Sequence, residues 1–255
     1  MEYLLKKALN LFPRPWLIRM SYVARPFLVQ FYKGNNYVDP IDGKSYRKLL
    51  AYGYENPRPN VLSPSTLSLE RHRLMWLYLK NKTNFFSAPL KVLHIAPEQA
   101  FFKRFRKMSN LNYTTLDIES PLADIKADIR NLPLEDNTYD VIFCNHVLEH
   151  ISEDIQAMQE LYRVMKPGGW GIFQVPMRYN QEKTYEDFSI TDPKERQKHF
   201  GQYDHVRWYG MDYFERLRSA GFEVDTTYAT SQFSVEEQRK YALMKGEILP
   251  VVKKS

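Results

Sequence analysis

The stretch from Asn131 to Pro176 limits what this 255-residue chain can fold into more than any other segment. Tyr139 to Cys144 is a short apolar run, rich in β-forming residues and preceded by turn residues, which predicts a buried strand. After a predicted N-cap at Ser152, apolar residues recur at helical spacing: Ile155, Met158, Leu161, Tyr162 and Met165. A Pro-Gly-Gly turn ends this helix, and Trp170 to Val175 is predicted to form a second strand. The segment therefore predicts one βαβ unit with parallel strands and both sheet faces covered.

The same stretch carries several motifs in a fixed order. LP, DN, YDVI, N-VLEH, YRV and KPGGW follow one another up to Pro176, and this order resembles the second half of class I S-adenosylmethionine-dependent methyltransferases, in the branch that modifies small molecules. The resemblance implies an α/β fold with a Rossmann-like, seven-stranded, mostly parallel sheet. It also implies S-adenosylmethionine as the cofactor. We expect this methyltransferase domain at residues 74–255, behind a small N-terminal accessory region.

Composition sets the broad class of the protein. With 44% hydrophobic and 15% aromatic residues, the chain can bury a full α/β core and still carry an appendage. Its single cysteine, Cys144, rules out a disulfide framework, and its apolar surroundings argue against a reactive thiol, which suits a cytoplasmic protein. The net charge of +6 is compatible with nucleic acid or an anionic membrane, but the basic residues are scattered rather than clustered. We therefore do not expect a nucleic-acid partner.

Residues 1–34 read as an amphipathic arm that is both basic and aromatic. No apolar run in it is long enough to span a membrane, and no signal-peptide pattern is present. In one interpretation, residues 1–33 are an interfacial anchor that places the protein at the inner face of a membrane. Trp16, Phe27 and Phe31 would then lie at headgroup depth, with the basic residues facing anionic lipid. In the other interpretation the arm is a helix that packs on the catalytic domain, and both remain open.

Residues 35–73 contain two turns with the shape of a zinc knuckle. Residues 39–43, DPIDG, match the C-P-x-C-G shape, and residues 63–66, SPST, match C-P-x-C. Aspartate, serine and threonine cannot supply the thiolates of a structural zinc site. We interpret the region as a knuckle-like hairpin pair without metal ligands, held by turns and hydrogen bonds. Two ordinary turns marked by proline and glycine are an equally good reading.

A candidate cofactor loop follows the strand that begins at Lys91. In doubly wound sheets a nucleotide-type cofactor docks at such a strand-to-helix turn. The family pattern, an acidic residue followed by G-x-G-x-G, is replaced here by HIAPEQA, without glycine. By resemblance Ala96 stands in for the first glycine, and Glu98 accepts a hydrogen bond from the cofactor's amino group. His94 belongs to the same cofactor-binding set, although a strand residue turned into the sheet is its favoured reading.

Two carboxylates are candidates for holding the adenosine part of the cofactor. Asp117 lies near the end of the next predicted strand, residues 112–118, about twenty residues beyond the loop, where dinucleotide sheets place the carboxylate that binds the ribose hydroxyls. Ile118 lies beside it, and Glu119 is the alternative if the register slips by two residues. By resemblance Asp128 and the adjacent Ile129 hold the adenine. The alternative for Asp128 is a solvated carboxylate in a turn.

The residues after Cys144 are expected at the methyl-transfer point. By resemblance Asn145 and His146 line the methionine end of the cofactor. His146, Glu149 and His150 also have the i, i+3, i+4 spacing of one helical face, which permits a divalent-metal site. That set has one ligand fewer than a closed site requires, so we expect no metal.

Residues 177–210 interrupt the alternation of strands and helices. This polar and aromatic insert follows the fifth predicted strand, where the resemblance places substrate-binding structure. The candidates for substrate contact include Tyr179, Tyr185, Tyr203, His205 and Arg207. His146 and His205 are the candidate catalytic bases, needed only if the methyl acceptor has a proton to lose. Residues 248–252 are predicted to form the last, edge strand.

Taken together, the sequence predicts an S-adenosylmethionine-dependent methyltransferase for a small, preferably lipophilic, acceptor. Methyl transfer depends mainly on holding the nucleophile and the methyl carbon in near-attack geometry. Two alternatives stay open. Without glycine in the loop, the chain could be a non-catalytic binding module of the same fold. Its basic charge could instead indicate an RNA methyltransferase, which predicts salt-sensitive RNA binding.

Overall fold

The computed structural model describes residues 25–53 and 57–255. Residues 25–32 are helical. The strands that follow are β1 (Lys33–Val38), β2 (Ser45–Tyr46), β3 (Leu50–Tyr52), β4 (Arg58–Leu62), β5 (Leu90–Ile95), β6 (Leu111–Asp117), β7 (Ile125–Lys126), β8 (Tyr139–Cys144), β9 (Met165–Ile172), β10 (Tyr185–Glu186), β11 (Arg207–Trp208), β12 (Glu223–Asp225) and β13 (Val251–Lys253). The helices are α1 (Glu70–Lys82), α2 (Phe102–Phe105), α3 (Asp154–Val164), α4 (Pro193–Phe200), α5 (Tyr213–Ser219) and α6 (Val235–Lys240).

The chain divides into two compact units. One contains Met1–Leu77 and Phe233–Lys245, and the other contains Tyr78–Gln232 and Gly246–Ser255. Our predicted boundary at residue 74 gave the whole C-terminal part to the methyltransferase domain, whereas the structure groups Phe233–Lys245 with the first unit. The reason is tertiary: the buried guanidinium of Arg73 donates hydrogen bonds to the main-chain carbonyls of this late segment.

In the first unit, β1 pairs with β2 and β3 with β4, each pair antiparallel. The turn at Asp39 and the turn at Ser63 come together, as a knuckle-like pair requires. The carboxylate of Asp39, 1% exposed, accepts hydrogen bonds from the hydroxyls of Thr66 and Ser68 and from the backbone N–H of Ile41. A carboxylate thus lies where a knuckle would have a thiolate, and hydrogen bonds link the two turns.

The second unit is built on a seven-stranded sheet with the order β12-β13-β9-β8-β5-β6-β7. The pairs among β5, β6, β7, β8 and β9 are parallel, while β13 is antiparallel to both β9 and β12. Counted along the chain, the five parallel strands have the order 3-2-1-4-5 of a doubly wound sheet, whose topological switch point lies between its first and fourth strands. The predicted Rossmann-like, mostly parallel sheet is therefore confirmed.

The core of this unit lies between the sheet and its helices. Residues 141–144 of β8 are completely buried, as expected for a parallel strand covered on both faces. The face of α3 that packs against the sheet contains Ala157, Met158, Leu161 and Val164, and α5 contributes Tyr213, Phe214 and Leu217 to the same cluster. This core fixes the carboxyl ends of the parallel strands, where a ligand would bind.

Three local predictions differ from the structure. The N-cap of α3 is Glu153 rather than Ser152, and no side chain caps the helix. The Pro-Gly-Gly turn lies inside β9, as an irregularity in its pairing with β8, so the strand starts at Met165 and not at Trp170. The last strand, β13, lies inside the sheet, and β12 is at the edge.

The N-terminal arm lies largely outside the described residues, which begin at residue 25. Within the described ranges, no helix has the length and apolar character needed to cross a membrane. Phe27 and Phe31 are 76% and 65% exposed, and the guanidinium of Arg47 lies over the Phe31 ring. Whether the arm contacts lipid remains a prediction.

Candidate active site

A pocket opens at the carboxyl ends of β5 and β6, beside the switch point of the sheet. It encloses a cavity of about 80 Å³, or about 350 Å³ when the open space of its mouth is included. Its walls combine apolar side chains with two carboxylates, and they contain most of the residues predicted for the cofactor. The lining residues are Ile95, Ala96, Leu116, Asp117, Ile118, Ala127, Asp128, Ile129, Val147 and Ile151.

Asp117 is the last residue of β6, so its carboxylate projects from the strand end into the pocket wall. One of its oxygens, Oδ1, accepts hydrogen bonds from the backbone N–H groups of Glu119 and Ser120, both at 2.8 Å. These bonds fix the carboxylate and leave Oδ2 able to accept from a ligand hydroxyl. The structure thus places Asp117 at a strand end and in the pocket wall, and its contact with a ribose stays a prediction. Glu119 is exposed and does not line the pocket.

Two non-glycine residues at neighbouring strand ends adopt left-handed backbone conformations. Ala96, after β5, has φ of 45°, and His146, after β8, has φ of 55°. Such conformations cost of order 1 kcal/mol or more and are concentrated at ligand-binding sites. The small side chain of Ala96 also keeps the backbone accessible to a ligand, as its predicted glycine-like role requires.

Behind Ala96, a chain of hydrogen bonds crosses the ends of three strands. His94 is completely buried, with Nδ1 at 2.8 Å from the Tyr113 hydroxyl and Nε2 at 2.5 Å from a Glu98 oxygen. The other Glu98 oxygen accepts from the amide of Asn145 at 3.0 Å, and Asn145 in turn accepts from the backbone N–H of Gln174. Direct cofactor contact by His94 is therefore wrong, because both of its ring nitrogens are engaged inside the protein. Its role is to position Glu98.

Asp128 lines the pocket and also forms an ion pair with the side chain of Arg130. Both of its oxygens accept hydrogen bonds from the guanidinium of Arg130, the shortest at 2.6 Å. These bonds lower the pKa of Asp128, with burial opposing them. The carboxylate is therefore held ionised and fixed at the pocket edge, next to the 4% exposed Ile129.

Glu149 lies at the centre of a cluster of histidines next to the strand end. It is 1% exposed, and Nδ1 of His146 is 3.3 Å from its Oε1. Burial alone would raise the pKa of Glu149, but the contact with His146 and the charges of His150 and His205 outweigh it and lower the pKa. His205 comes from the insert and is 5% exposed, and burial lowers the pKa of its imidazole against the opposing pull of Glu149. Both candidate bases therefore lie near one buried carboxylate.

The insert is folded rather than a loose loop. Its strands β10 and β11 pair with each other, and α4 lies between them in sequence. Three predicted substrate residues are partly exposed: Tyr179 (36%), Tyr185 (37%) and Tyr203 (60%). The Tyr185 hydroxyl is 2.8 Å from Nδ1 of His199, and the Tyr179 hydroxyl accepts from the backbone N–H of Ile248.

Arg207 is not a substrate residue, because its side chain is completely buried. Its guanidinium donates to the carbonyls of Leu148, Ile151 and Ser152 and forms an ion pair with Glu186 at 2.8 Å. It therefore fixes the loop after β8 to the insert. Sequence reasoning made it a candidate for substrate contact because it lies in a polar insert, and nothing in the sequence shows that its partners are main-chain carbonyls.

The part of the chain that contains the pocket matches a known protein family. Residues 83–173 match the family described as a methyltransferase domain. Residues 83–173 are therefore similar to methyltransferase domains.

Relatives of the methyltransferase domain are similar only over short segments. A sterol 4-C-methyltransferase of Caenorhabditis elegans is 32% identical over 84 residues, which are 33% of this chain and 23% of that protein. A demethylmenaquinone methyltransferase of Chlamydia trachomatis is 38% identical over 64 residues, or 24% of this chain and 28% of that protein. The chain thus spans less than a third of the length of either relative.

A solved structure is also similar over a larger part of the chain. The 1,6-didemethyltoxoflavin-N1-methyltransferase of Burkholderia thailandensis aligns with a TM-score of 0.47 at 13% identity, over 73% of this chain and 78% of that chain. We draw no conclusion from a likeness at this level.

The residues that line this pocket have the chemistry that the adenosine half of S-adenosylmethionine requires. A ribose needs a hydrogen-bond acceptor, and Asp117 provides one at a strand end. A purine ring needs flat apolar walls, and Ile118, Ile129 and Val147 line the same pocket. What sequence reasoning missed is that His205 joins Glu149 and His150 from a segment more than fifty residues further along the chain.

Proposed function

We propose that the protein is an S-adenosylmethionine-dependent methyltransferase whose acceptor is a small molecule. The observation that carries this proposal is the pocket at the switch point of the sheet, which has Asp117 in its wall and lies in the segment that matches the methyltransferase family. The curated relatives named above act on a sterol and on demethylmenaquinone, which supports a small and lipophilic acceptor over a macromolecule.

In this proposal each residue of the pocket has one task. The second oxygen of Asp117 would accept from the ribose hydroxyls, and Ile118 and Ile129 would provide apolar contact for the adenine. Asp128, kept ionised by Arg130, accepts from the adenine amino group. Ala96 allows the cofactor to approach the backbone after β5.

The methionine end of the cofactor would lie toward the strand end at Asn145. Glu98 offers a negative charge to the cofactor's amino group, and His94 and Asn145 hold that carboxylate in place. When bound, the cofactor supplies a sulfonium methyl group open to in-line attack. His146 would take the acceptor's proton if there is one, because its side chain is 28% exposed and lies against the ionised Glu149. His205 is buried and remains the second candidate base.

We propose that the partly exposed tyrosines of the insert bind the acceptor. Tyr179, Tyr185 and Tyr203 combine an apolar ring with a polar hydroxyl, a combination that suits lipophilic molecules carrying one polar group. Tyr203→Ala is then expected to raise KM for the acceptor while the cofactor affinity stays unchanged. A changed cofactor affinity with an unchanged KM would place Tyr203 elsewhere.

The direct test is incubation with methyl-labelled cofactor and a cell extract, followed by identification of the labelled product. A labelled small molecule is the expected result. Labelled RNA would favour the RNA methyltransferase instead. A folded protein that gives no heat with S-adenosylmethionine in a calorimetric titration would favour the non-catalytic binding module.

We also propose that residues 1–33 bring the protein to a membrane surface. The exposed rings of Phe27 and Phe31, in the described end of the arm, support this. The test compares flotation with anionic liposomes for the full chain and for a chain without residues 1–33. Equal partitioning would exclude the anchor.

A further inference from the structure

The carboxylate of Glu149 is buried, and nearby histidines rather than regular hydrogen bonds offset the cost of its burial. In the described part of the chain, neither of its oxygens accepts a hydrogen bond of regular geometry. Its closest charged contact in that part is Nδ1 of His146 at 3.3 Å. A carboxylate removed from water is costly unless it is paired and hydrogen-bonded or binds a metal ion. Glu149 is therefore a carboxylate prepared for a cation.

Two imidazoles from different segments reach the same place. One ligand atom each from Glu149, His150 and His205 lies within 4.8 Å of the others. The rings of His150 and His205 meet edge to face, with centroids 4.8 Å apart and an interplanar angle of 82°. His205 is held there because the backbone N–H of the next residue, Val206, donates to the main-chain oxygen of Glu149 at 3.0 Å. The insert and the loop after β8 thus form one site.

In both His150 and His205, Nδ1 contacts a hydrogen-bond acceptor, so the other ring nitrogen, Nε2, is left for a ligand. Nδ1 of His205 is 3.1 Å from the carbonyl of Phe200, which can only accept, so this nitrogen carries the proton. Nδ1 of His150 is 3.4 Å from both the main-chain oxygen and Oδ2 of Asp204. In the neutral form of each ring, Nε2 then carries the lone pair. A histidine that binds a metal through one nitrogen and donates through the other to a carbonyl or carboxylate is the usual arrangement in metal sites.

We propose that Glu149, His150 and His205 bind a divalent transition-metal ion of the zinc class. Two imidazoles and one carboxylate are a ligand set that zinc accepts, with water in the fourth position. Zinc bonds of about 2.0–2.2 Å place tetrahedral ligand atoms roughly 3.4 Å apart, so modest side-chain rotation closes the observed arrangement around the ion. The metal compensates the charge of Glu149 and fixes the insert to the loop after β8.

The test titrates the metal-free full-length protein with Zn²⁺ by calorimetry and with Co²⁺ by visible spectroscopy. We expect one equivalent of Zn²⁺ to bind, a visible spectrum of tetrahedral Co²⁺, and a rise in the melting midpoint of roughly 5–10 °C at saturating Zn²⁺. His150→Ala and Glu149→Gln are expected to weaken binding by more than about 100-fold, beyond the loss typical of an outer partner. The matched control is His199→Ala, which changes a histidine of the same insert outside the cluster and is expected to bind as the wild type does.

Three results would overturn the proposal. They are no saturable binding of either metal, variants of Glu149 and His150 that bind as tightly as the wild type, and an equal loss in His199→Ala, which would indicate scattered surface binding. Circular dichroism checks the fold of each variant. If Glu149→Gln does not fold, the His150→Ala variant, at a side chain that is 29% exposed, carries the test alone.

Discussion

Replacing Arg207 with methionine tests whether this buried arginine is structural. The change removes the ion pairs with Glu186 and Asp154. It leaves the carbonyl oxygens of Ile151 and Ser152 without the guanidinium donor, whereas the carbonyl of Leu148 keeps the hydroxyl of Tyr209. Breaking a buried ion pair by removing one partner costs about 3–5 kcal/mol, and each buried acceptor left unpaired adds to that range. Methionine retains much of the apolar volume of the arginine side chain, so the decrease in unfolding free energy reports on the lost polar contacts. The expected change is about 3–5 kcal/mol of unfolding free energy, or roughly 6–20 °C in the melting midpoint.

The assay is urea-induced unfolding followed by circular dichroism, with Arg218→Met as the matched control. Arg218 is on the surface of α5, 44% of its side chain is exposed, and its ion pair is with Glu215 of the same helix. That control is expected to change stability by less than about 0.5 kcal/mol. A loss below about 1 kcal/mol for Arg207→Met would refute the structural role. It would reopen the prediction that this residue contacts substrate.

Three further changes test other parts of the fold. Asp39→Ala is expected to lower the unfolding free energy by roughly 2–3 kcal/mol in a urea titration, because Thr66 loses the buried acceptor that links the two knuckle-like turns; a loss no greater than that of an exposed aspartate would contradict this. Gly171→Ala is expected to cost about 1–3 kcal/mol or more, because a Cβ atom there would lie 2.5 Å from the carbonyl of Ile142 in the neighbouring strand; unchanged thermal melting would contradict it. The hydrogen bonds from Arg163 lower the pKa of Glu160 in the folded protein. The ionised Glu160 therefore stabilises the fold above its unfolded pKa of about 4.3, and this stabilisation is lost as the pH falls through the pKa of the folded state. The gap in stability between wild type and Glu160→Gln should therefore shrink below about pH 4, and a gap that widens there would be inconsistent with the ion pair.

The elements that sequence predicted well are those that depend on local pattern. The strand at Tyr139–Cys144 has its predicted bounds, because a short apolar run between turn residues has few other solutions. The position of Asp117 followed from the spacing of a strand end, and the structure places it in the pocket wall. Both depend on residues close in sequence.

The features that sequence did not predict depend on distant partners. Arg207 lies in a polar segment, but its guanidinium donates hydrogen bonds to main-chain carbonyls more than fifty positions away. His205 appeared to be a substrate residue or a base, and only the folded insert brings it to Glu149 and His150. Nothing in the spacing of these residues indicates such contacts.

The central claim is that the pocket beside Asp117 binds S-adenosylmethionine, and a paired calorimetric titration tests it most directly. Asp117→Asn keeps the oxygen that accepts from the loop but replaces the free oxygen by an amide donor, which cannot accept from a ribose hydroxyl. Losing a hydrogen bond to a charged group costs about 1.5–3 kcal/mol, so the affinity should fall by roughly 10- to 150-fold without a change in fold. The exposed Glu119→Gln, two residues on, should bind as the wild type does. Equal affinities for wild type and Asp117→Asn, or no binding by the folded wild-type protein, would contradict the account.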